Sequence, residues 1–174
     1  MSSGIGNRAY LSLGSNIEAA RNLPDAVEAL KQYGEVIAVS QVWESPPVDG
    51  SNQANYLNAA VLLHTQLSAE ELCRDAIRTI EQRLKRTRGQ DDRFAPRTID
   101  IDLSLFNDQV GHVDHRHIPD PDIVRRAFVA VPLAQLDPHY THPENEKSLV
   151  EIAEEFDKSE SGMQLRSDVV LSTG

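Results

Sequence analysis

Residues 98–106, Thr-Ile-Asp-Ile-Asp-Leu-Ser-Leu-Phe, set two carboxylates into an otherwise apolar run. Strand alternation sends Ile99, Ile101, Leu103 and Leu105 to one face, and Asp100 and Asp102 to the other. Such a strand cannot be buried on both faces, because a buried carboxylate is costly unless it is paired or bound to metal. The chain must therefore build a sheet with one packed face and one face open at this point. The plain alternative is an exposed strand face with two ordinary acids. Aspartate is disfavoured in strand interiors, which speaks for a task. Two hard oxygen ligands on neighbouring same-face positions, open to water and phosphate oxygens, suit Mg²⁺.

The rest of the chain supplies the sheet. Arg8–Leu13 reads as a strand ending at the turn signal Gly14-Ser15-Asn16. Leu23, Ala26, Val27 and Leu30 recur at helical spacing, with Pro24 near the start and Gly34 past the end. Glu35–Val42 is strand-like, and Glu44–Asn55 is a long loop rich in turn residues. Tyr56–His64 reads as a buried strand with faces Tyr56, Asn58, Ala60, Leu62 and Leu57, Ala59, Val61, Leu63. Ser68 with Glu71 forms a capping box for a helix whose apolar stripe is Leu72, Cys73, Ala76, Ile77, Ile80 and Leu84. Arg86–Arg97 is a second polar loop, and 98–106 is the next strand. Beyond it the expectation is a turn near Asn107, irregular chain to Pro121, a short helix near Ile123–Arg125 and a helix over Ser148–Phe156.

The order β-α-β-β-α-β is the split βαβ, ferredoxin-like arrangement. The expected fold class is α+β, with a mostly antiparallel sheet, helices on one face, long loops over the other, and a C-terminal extension. The 174 residues suffice for one domain, with its core at about 8–157 and 158–174 as a mobile tail.

Composition excludes several classes. A net charge of −10 argues against a general nucleic-acid binder, including a ferredoxin-like RNA-binding module. No apolar run approaches the roughly 20 residues of a membrane span, and no signal peptide is evident, so no membrane partner is expected. Cys73 is the only cysteine, which excludes an intrachain disulfide and a thiolate cluster and fits a cytoplasmic setting. His112, His115 and His117 lie in a polar segment without zinc-site spacing.

Charge is unevenly spread. Residues 83–97 hold six basic side chains against two acids, which suits a small anionic ligand. Arg86, Arg88, Arg93 and Arg97 just precede the aspartates, and guanidinium groups pair with phosphate oxygens in fork geometry. Carboxylate-held Mg²⁺ beside arginines is equipment for phosphoryl transfer. Arg83 and Lys85 fit a solvated charge run. No Walker A pattern or kinase glycine-rich loop is present. Tyr56 and Asn58 share a strand face and could stack on and hydrogen-bond a flat heterocycle. Taken alone, the pair better fits a core tyrosine and a structural asparagine.

These pieces together closely resemble the 6-hydroxymethyl-7,8-dihydropterin pyrophosphokinase family of folate biosynthesis. The resemblance rests on Tyr10-Leu-Ser-Leu-Gly-Ser-Asn16, Glu44-Ser-Pro-Pro47, Asn55-Tyr-Leu-Asn-Ala-Ala60, Pro96-Arg-Thr-Ile-Asp-Ile-Asp102, Arg126-Ala-Phe-Val129 and Pro132-Leu133. It implies transfer of pyrophosphate from ATP to the pterin hydroxymethyl group, with release of AMP. It implies two Mg²⁺ ions bound with ATP by Asp100 and Asp102. It assigns the ATP phosphates to Arg86, Arg97 and Arg88, with Arg86 and Arg97 catalytic, and places Glu81, Leu103 and Arg126 around the nucleotide. Tyr56 and Phe128 would sandwich the pterin, and Asn58 and the loop Ser45, Pro46, Pro47, Val48 would hydrogen-bond it. The expected partners are ATP and hydroxymethyl-dihydropterin, and the expected state is a monomer. A metal-dependent phosphohydrolase on the same fold is the alternative. The chain departs from the family at Phe94-Ala95, where Trp-Gly is frequent, in a loop 88–93 one residue longer, and at Pro119-Asp120, where Pro-His is frequent. A carboxylate aimed at a triphosphate would repel it. Asp120 is therefore expected to turn away and to pair with Arg125 or cap the helix near Ile123.

Overall fold

The computed structural model describes residues 5–85, 99–157 and 161–174. Strand β1 (Asn7–Ser15) opens the chain, and helix α1 (Ala19–Leu30) follows it. Strands β2 (Glu35–Val39) and β3 (Trp43–Ser45) precede β4 (Tyr56–Thr65). One continuous helical stretch comprises α2 (Ala69–Glu71), a π-helical segment Leu72–Ile77 and α3 (Arg78–Lys85). Strand β5 (Asp100–Phe106), the hairpin β6 (Gly111–Val113) and β7 (Arg116–Ile118), a 3-10 turn (Pro121–Ile123), helices α4 (Ala127–Leu136) and α5 (Leu149–Glu154), and strand β8 (Gln164–Leu165) complete the chain.

The sheet runs β5-β1-β4-β3-β8, and β2 also pairs with β4. All pairings are antiparallel. This is the ferredoxin-like order that the sequence predicts, with one strand added at the edge. The expected strand Glu35–Val42 ends at Val39, and a separate strand β3, on the other half of β4, takes the start of the expected loop Glu44–Asn55. Ser40 bridges the break: its amide donates to the Ala60 carbonyl at 2.9 Å, and its hydroxyl accepts the Ala60 amide at 2.8 Å.

One face of the sheet carries the main core. Leu11, Leu13, Val61, Leu63, Ile101 and Leu103 meet Leu23, Val27 and Leu30 of α1 and Leu72, Ala76 and Ile80 of the second helical stretch. Burying each such leucine or isoleucine is worth about 1.5–3 kcal/mol over leaving it exposed. The capping box forms as its spacing predicts, with Ser68 Oγ accepting from Glu71 and Glu71 accepting from the Ser68 amide. Helix α1 begins five residues before Pro24, which therefore stands inside it.

The other face is not left to loops. Helix α4 packs over half of it, against Tyr10, Ala60, Leu62 and Leu105, with α5 behind. This helix is absent from the sequence reading because it is apolar all round: Ala127 and every residue from Val129 to Ala134 are buried, so no stripe marks it. The face of Leu105 is a second correction. A β-bulge between Leu103 and Leu105 makes Ser104 an extra residue opposite β1. The phase shifts, so Leu105 joins the cluster under α4 and Phe106 joins the main core.

The segment expected to be irregular contains the β6–β7 hairpin. Its two-residue turn, Asp114-His115, has positive φ at both positions, 49° and 68°. That is the turn geometry matching strand twist, and aspartate and histidine tolerate it better than most residues. The short helix expected at Ile123–Arg125 is the 3-10 turn Pro121–Ile123. Residues 161–174, expected within a mobile tail, instead add β8 to the sheet and bury Val169 and Leu171 in the main core. Among the described residues, no helix is long and apolar enough to cross a membrane.

Candidate active site

The half of the second sheet face that α4 leaves open is a cavity of about 190 Å³. Strand register builds its floor. Gly14 stands opposite Asn58 on one side and Asp100 on the other, and Ser12 stands opposite Ala60 and Asp102. A row Asn58–Gly14–Asp100 therefore crosses three strands, with no side chain at its centre. A Cβ at Gly14 would lie 3.6 Å from Asn58 Oδ1 and 4.0 Å from the Tyr56 ring, in the space above the floor. Ser45, Pro46 and Val48 wall one end, Phe128 and Val129 from the first turn of α4 wall another, and Tyr56, Asp100 and Asp102 complete the lining.

The amide of Asn58 is fixed by its surroundings. Its NH₂ donates to Ser45 Oγ at 2.7 Å and to the Trp43 carbonyl at 3.2 Å. Both hydrogens are thereby used, and Oδ1 is left on the Gly14 side as an acceptor. A flat ligand with ring N–H groups matches that acceptor, in a cavity that the aromatic rings of Tyr56 and Phe128 also line.

At the opposite end negative charge is concentrated. Burial pushes the Glu81 carboxyl above its ordinary value, opposed by Lys85 and reinforced by Asp100 and Asp102. Burial likewise raises Asp120, opposed by the Asp122 amide and reinforced by Asp102. Negative charge from four carboxylates thus gathers around Asp102, and two cations face it: Lys85 beside Glu81, and Arg116 of β7, ion-paired with Asp102. The bulge at Ser104 assembles this corner, since its carbonyl accepts the Asp120 amide at 2.9 Å and its hydroxyl meets that of Ser12 at 2.7 Å. The donor chemistry fits a divalent cation. Among the described residues, no group of three or more His, Cys, Asp and Glu is arranged to hold one alone. The fit is therefore to an ion that completes its shell with substrate oxygens, as Mg²⁺ does with phosphates.

The sequence-predicted residues divide accordingly. Ser45, Pro46, Val48, Tyr56, Asn58, Phe128, Asp100 and Asp102 line one cavity, while Pro47 does not. Glu81 lies within electrostatic reach of both aspartates. Arg126 is exposed at the N-cap of α4, two residues before Phe128. The Leu103 side chain is buried in the main core, on the face opposite the aspartates, so a contact from this residue on the open face is left to its backbone. Arg86, Arg88, Arg93 and Arg97 lie outside the described residues.

Asp120 caps the 3-10 turn as expected, accepting the Asp122 amide at 2.9 Å. It does not lie clear of the site, however, and the cation acting on it is Arg116 rather than Arg125. His117 pairs with Glu144 at 2.8 Å, and its ring meets that of His112 edge-on. Sequence reasoning missed Ser12, Gly14 and Arg116. Extending the period-2 rule of β1 through Gly14 finds the first two. Nothing local marks Arg116, which reaches Asp102 only through the hairpin.

Comparison with known proteins gives the family. Residues 10–138 match the family model described as 7,8-dihydro-6-hydroxymethylpterin-pyrophosphokinase. The 2-amino-4-hydroxy-6-hydroxymethyldihydropteridine pyrophosphokinase of Bacillus subtilis is 38% identical over 135 residues, covering 76% of this chain and 79% of that one. Its counterpart in Aquifex aeolicus is 34% identical over 149 residues, covering 84% and 90%. Among solved structures, wild-type HPPK-DHPS of Plasmodium falciparum with SDX-DHP superposes with a TM-score of 0.72 at 15% identity. That match covers 97% of this chain but only 48% of the solved one, and at such identity it speaks for the fold alone. With most of its length matched by the family model and by bacterial relatives, the chain belongs to the 7,8-dihydro-6-hydroxymethylpterin-pyrophosphokinase family.

Proposed function

We propose that this chain transfers the β,γ-pyrophosphoryl group of ATP to 6-hydroxymethyl-7,8-dihydropterin, releasing AMP, in folate biosynthesis. The observation that carries the reading is one cavity in which a ring-binding end and a carboxylate end share a common floor of three strands. The pterin lies over Gly14 between Tyr56 and Phe128, and Asn58 Oδ1 accepts from its ring N–H. This orientation turns the hydroxymethyl group toward Asp100 and Asp102.

Asp100 and Asp102 would hold Mg²⁺, two ions arriving with ATP. When bound, Mg²⁺ neutralises triphosphate charge and aligns the β-phosphorus for in-line attack. The hydroxymethyl oxygen bonds to that phosphorus and gives its proton up to solvent, while the bond from the β-phosphorus to the α,β-bridging oxygen breaks and that oxygen leaves with AMP. Arg86, Arg97 and Arg88 are assigned to the phosphates, with Arg126 and Glu81 beside the nucleotide. Arg116 supplies a further cation at the same corner. The aromatic walls exclude water, which would otherwise compete as acceptor. The reading extends to a monomer acting in the cytoplasm.

Product analysis separates this reading from the phosphohydrolase alternative. AMP release that depends on added hydroxymethyl-dihydropterin is expected. ADP or phosphate release without pterin would instead identify a hydrolase. Phe128→Ala provides a second check by removing one ring of the sandwich. Aromatic stacking contributes about 0.5–1.5 kcal/mol beyond buried area, so pterin affinity should fall about tenfold. ATP affinity measured by calorimetry should stay within about twofold, roughly 0.4 kcal/mol. Equal loss of both ligands would make Phe128 a core residue and misplace the pocket.

A further inference from the structure

The family match ends at Pro138, and the chemistry proposed above has no use for the C-terminal segment 161–174. That segment is nevertheless built onto the wall of the cavity. Gln164 and Leu165 form β8 against β3, in register with Glu44 and Trp43. The Arg166 amide donates to the Val42 carbonyl at 2.9 Å, continuing the pairing. The Arg166 guanidinium donates to Glu44 of β3 at 3.0 Å and to Asp168 through two further bonds of 2.8 Å. Met163 is buried with Trp43, Ala127 and Val131, between β3 and α4. Gly162, at φ +71°, sits against Pro46, where an added Cβ would stand 3.3 Å from the proline ring. Beyond Arg166, Val169 and Leu171 anchor the end in the main core.

The strand that receives these contacts is only three residues long, and β4 is its partner on the other side. Without β8 it would be an edge strand with one neighbour, a weak support for the chain that leaves it. That chain delivers Ser45, Pro46 and Val48 to the cavity. We infer that 161–174 is a positioning strap for the ring-binding wall, with Arg166 as its clasp on β3 and Gly162 as its contact with Pro46. This rests on the pterin reading of that wall. The strap touches no substrate and acts through β3, so its effect falls on pterin binding and not on the carboxylate end.

Arg166→Met keeps the aliphatic stem and removes the clasp. Both partners of the Glu44 pair are partly exposed, so the variant is expected to fold. Calorimetry should show pterin dissociation raised about fivefold, the scale of one ion pair, with ATP dissociation and kcat within about twofold. Glu44→Gln reads the same contact from the other strand and should move pterin affinity in the same direction. The double variant should be no worse than Arg166→Met alone, because both remove one interaction. Gly162→Ala, which strains the turn and presses on Pro46, should also weaken pterin selectively. Unchanged pterin affinity in folded Arg166→Met and Glu44→Gln would overturn the strap, and so would equal weakening of pterin and ATP. If the wild-type protein releases AMP with pterin while these variants bind pterin normally, the strap alone fails. If the wild type does not bind pterin, the reading of the cavity and the strap fall together.

Discussion

Asp100→Ala and Asp102→Ala are each expected to keep less than about a tenth of wild-type turnover, a barrier increase above about 1.4 kcal/mol. The reasoning starts from the strand. Both side chains stand on the open face of β5, at the end of a cavity whose other end is aromatic. Glu81 feels both aspartates, and Asp120 feels Asp102. Removing one relieves like-charge repulsion, so folding should survive. Asp102→Ala also deprives Arg116 of its partner, but that pair is substantially exposed and contributes at most about 1 kcal/mol. Thermal melts should therefore stay close to wild type while activity collapses. Mg²⁺ alone should bind weakly to the wild type, since two carboxylates leave most of the ion's shell to water and phosphate. A folded variant with more than a tenth of wild-type turnover would remove the metal-ligand role.

Asn58→Ala is expected to be the second most damaging change, on two scales at once. The side chain is buried and ties β4 to β3 through Ser45 Oγ and the Trp43 carbonyl. Losing it takes a donor from the buried Ser45 hydroxyl and from the Trp43 carbonyl, at about 1–3 kcal/mol. A domain of this size loses about 2–4 °C in Tm per kcal/mol. The same change deletes the acceptor facing the cavity and loosens Ser45. Pterin affinity should fall about a hundredfold, roughly 2.7 kcal/mol, because a site built to accept a hydrogen bond loses both the bond and its geometry. If the variant lost stability alone and bound pterin normally, Asn58 would be the structural asparagine that its local sequence favours.

The parts of this molecule that the sequence reveals are those with strict alternation or strict caps. The two faces of β4, the carboxylate face of β5 and the Ser68 box follow from period and spacing, and they fix the ferredoxin-like order. The site residues on loops and helix ends do not follow from period. Phe128 and the Ser45–Val48 wall came from family resemblance, because one turn of an all-apolar helix and a proline-rich bend carry no local signature of a ligand. The bulge at Ser104 was invisible because alternation assumes one residue per partner. It reversed the face of Leu105 and built the corner where Asp120 and Arg116 meet Asp102. Leu103 follows a site residue in the chain, but alternation buries its side chain and leaves only its backbone toward the open face. The strap escaped notice because β8 is two residues long and exists only through its pairing with β3.

The central claim is that one cavity seats the pterin at its aromatic end and the triphosphate at its carboxylate end. A crystal structure of the protein with hydroxymethyl-dihydropterin, Mg²⁺ and a non-hydrolysable ATP analogue tests it most directly. The account predicts the pterin ring between Tyr56 and Phe128 over Gly14, a ring N–H on Asn58 Oδ1, and metal density on Asp100 and Asp102 bridging to the phosphates. A pterin bound away from Gly14, or metal held without either aspartate, would contradict it.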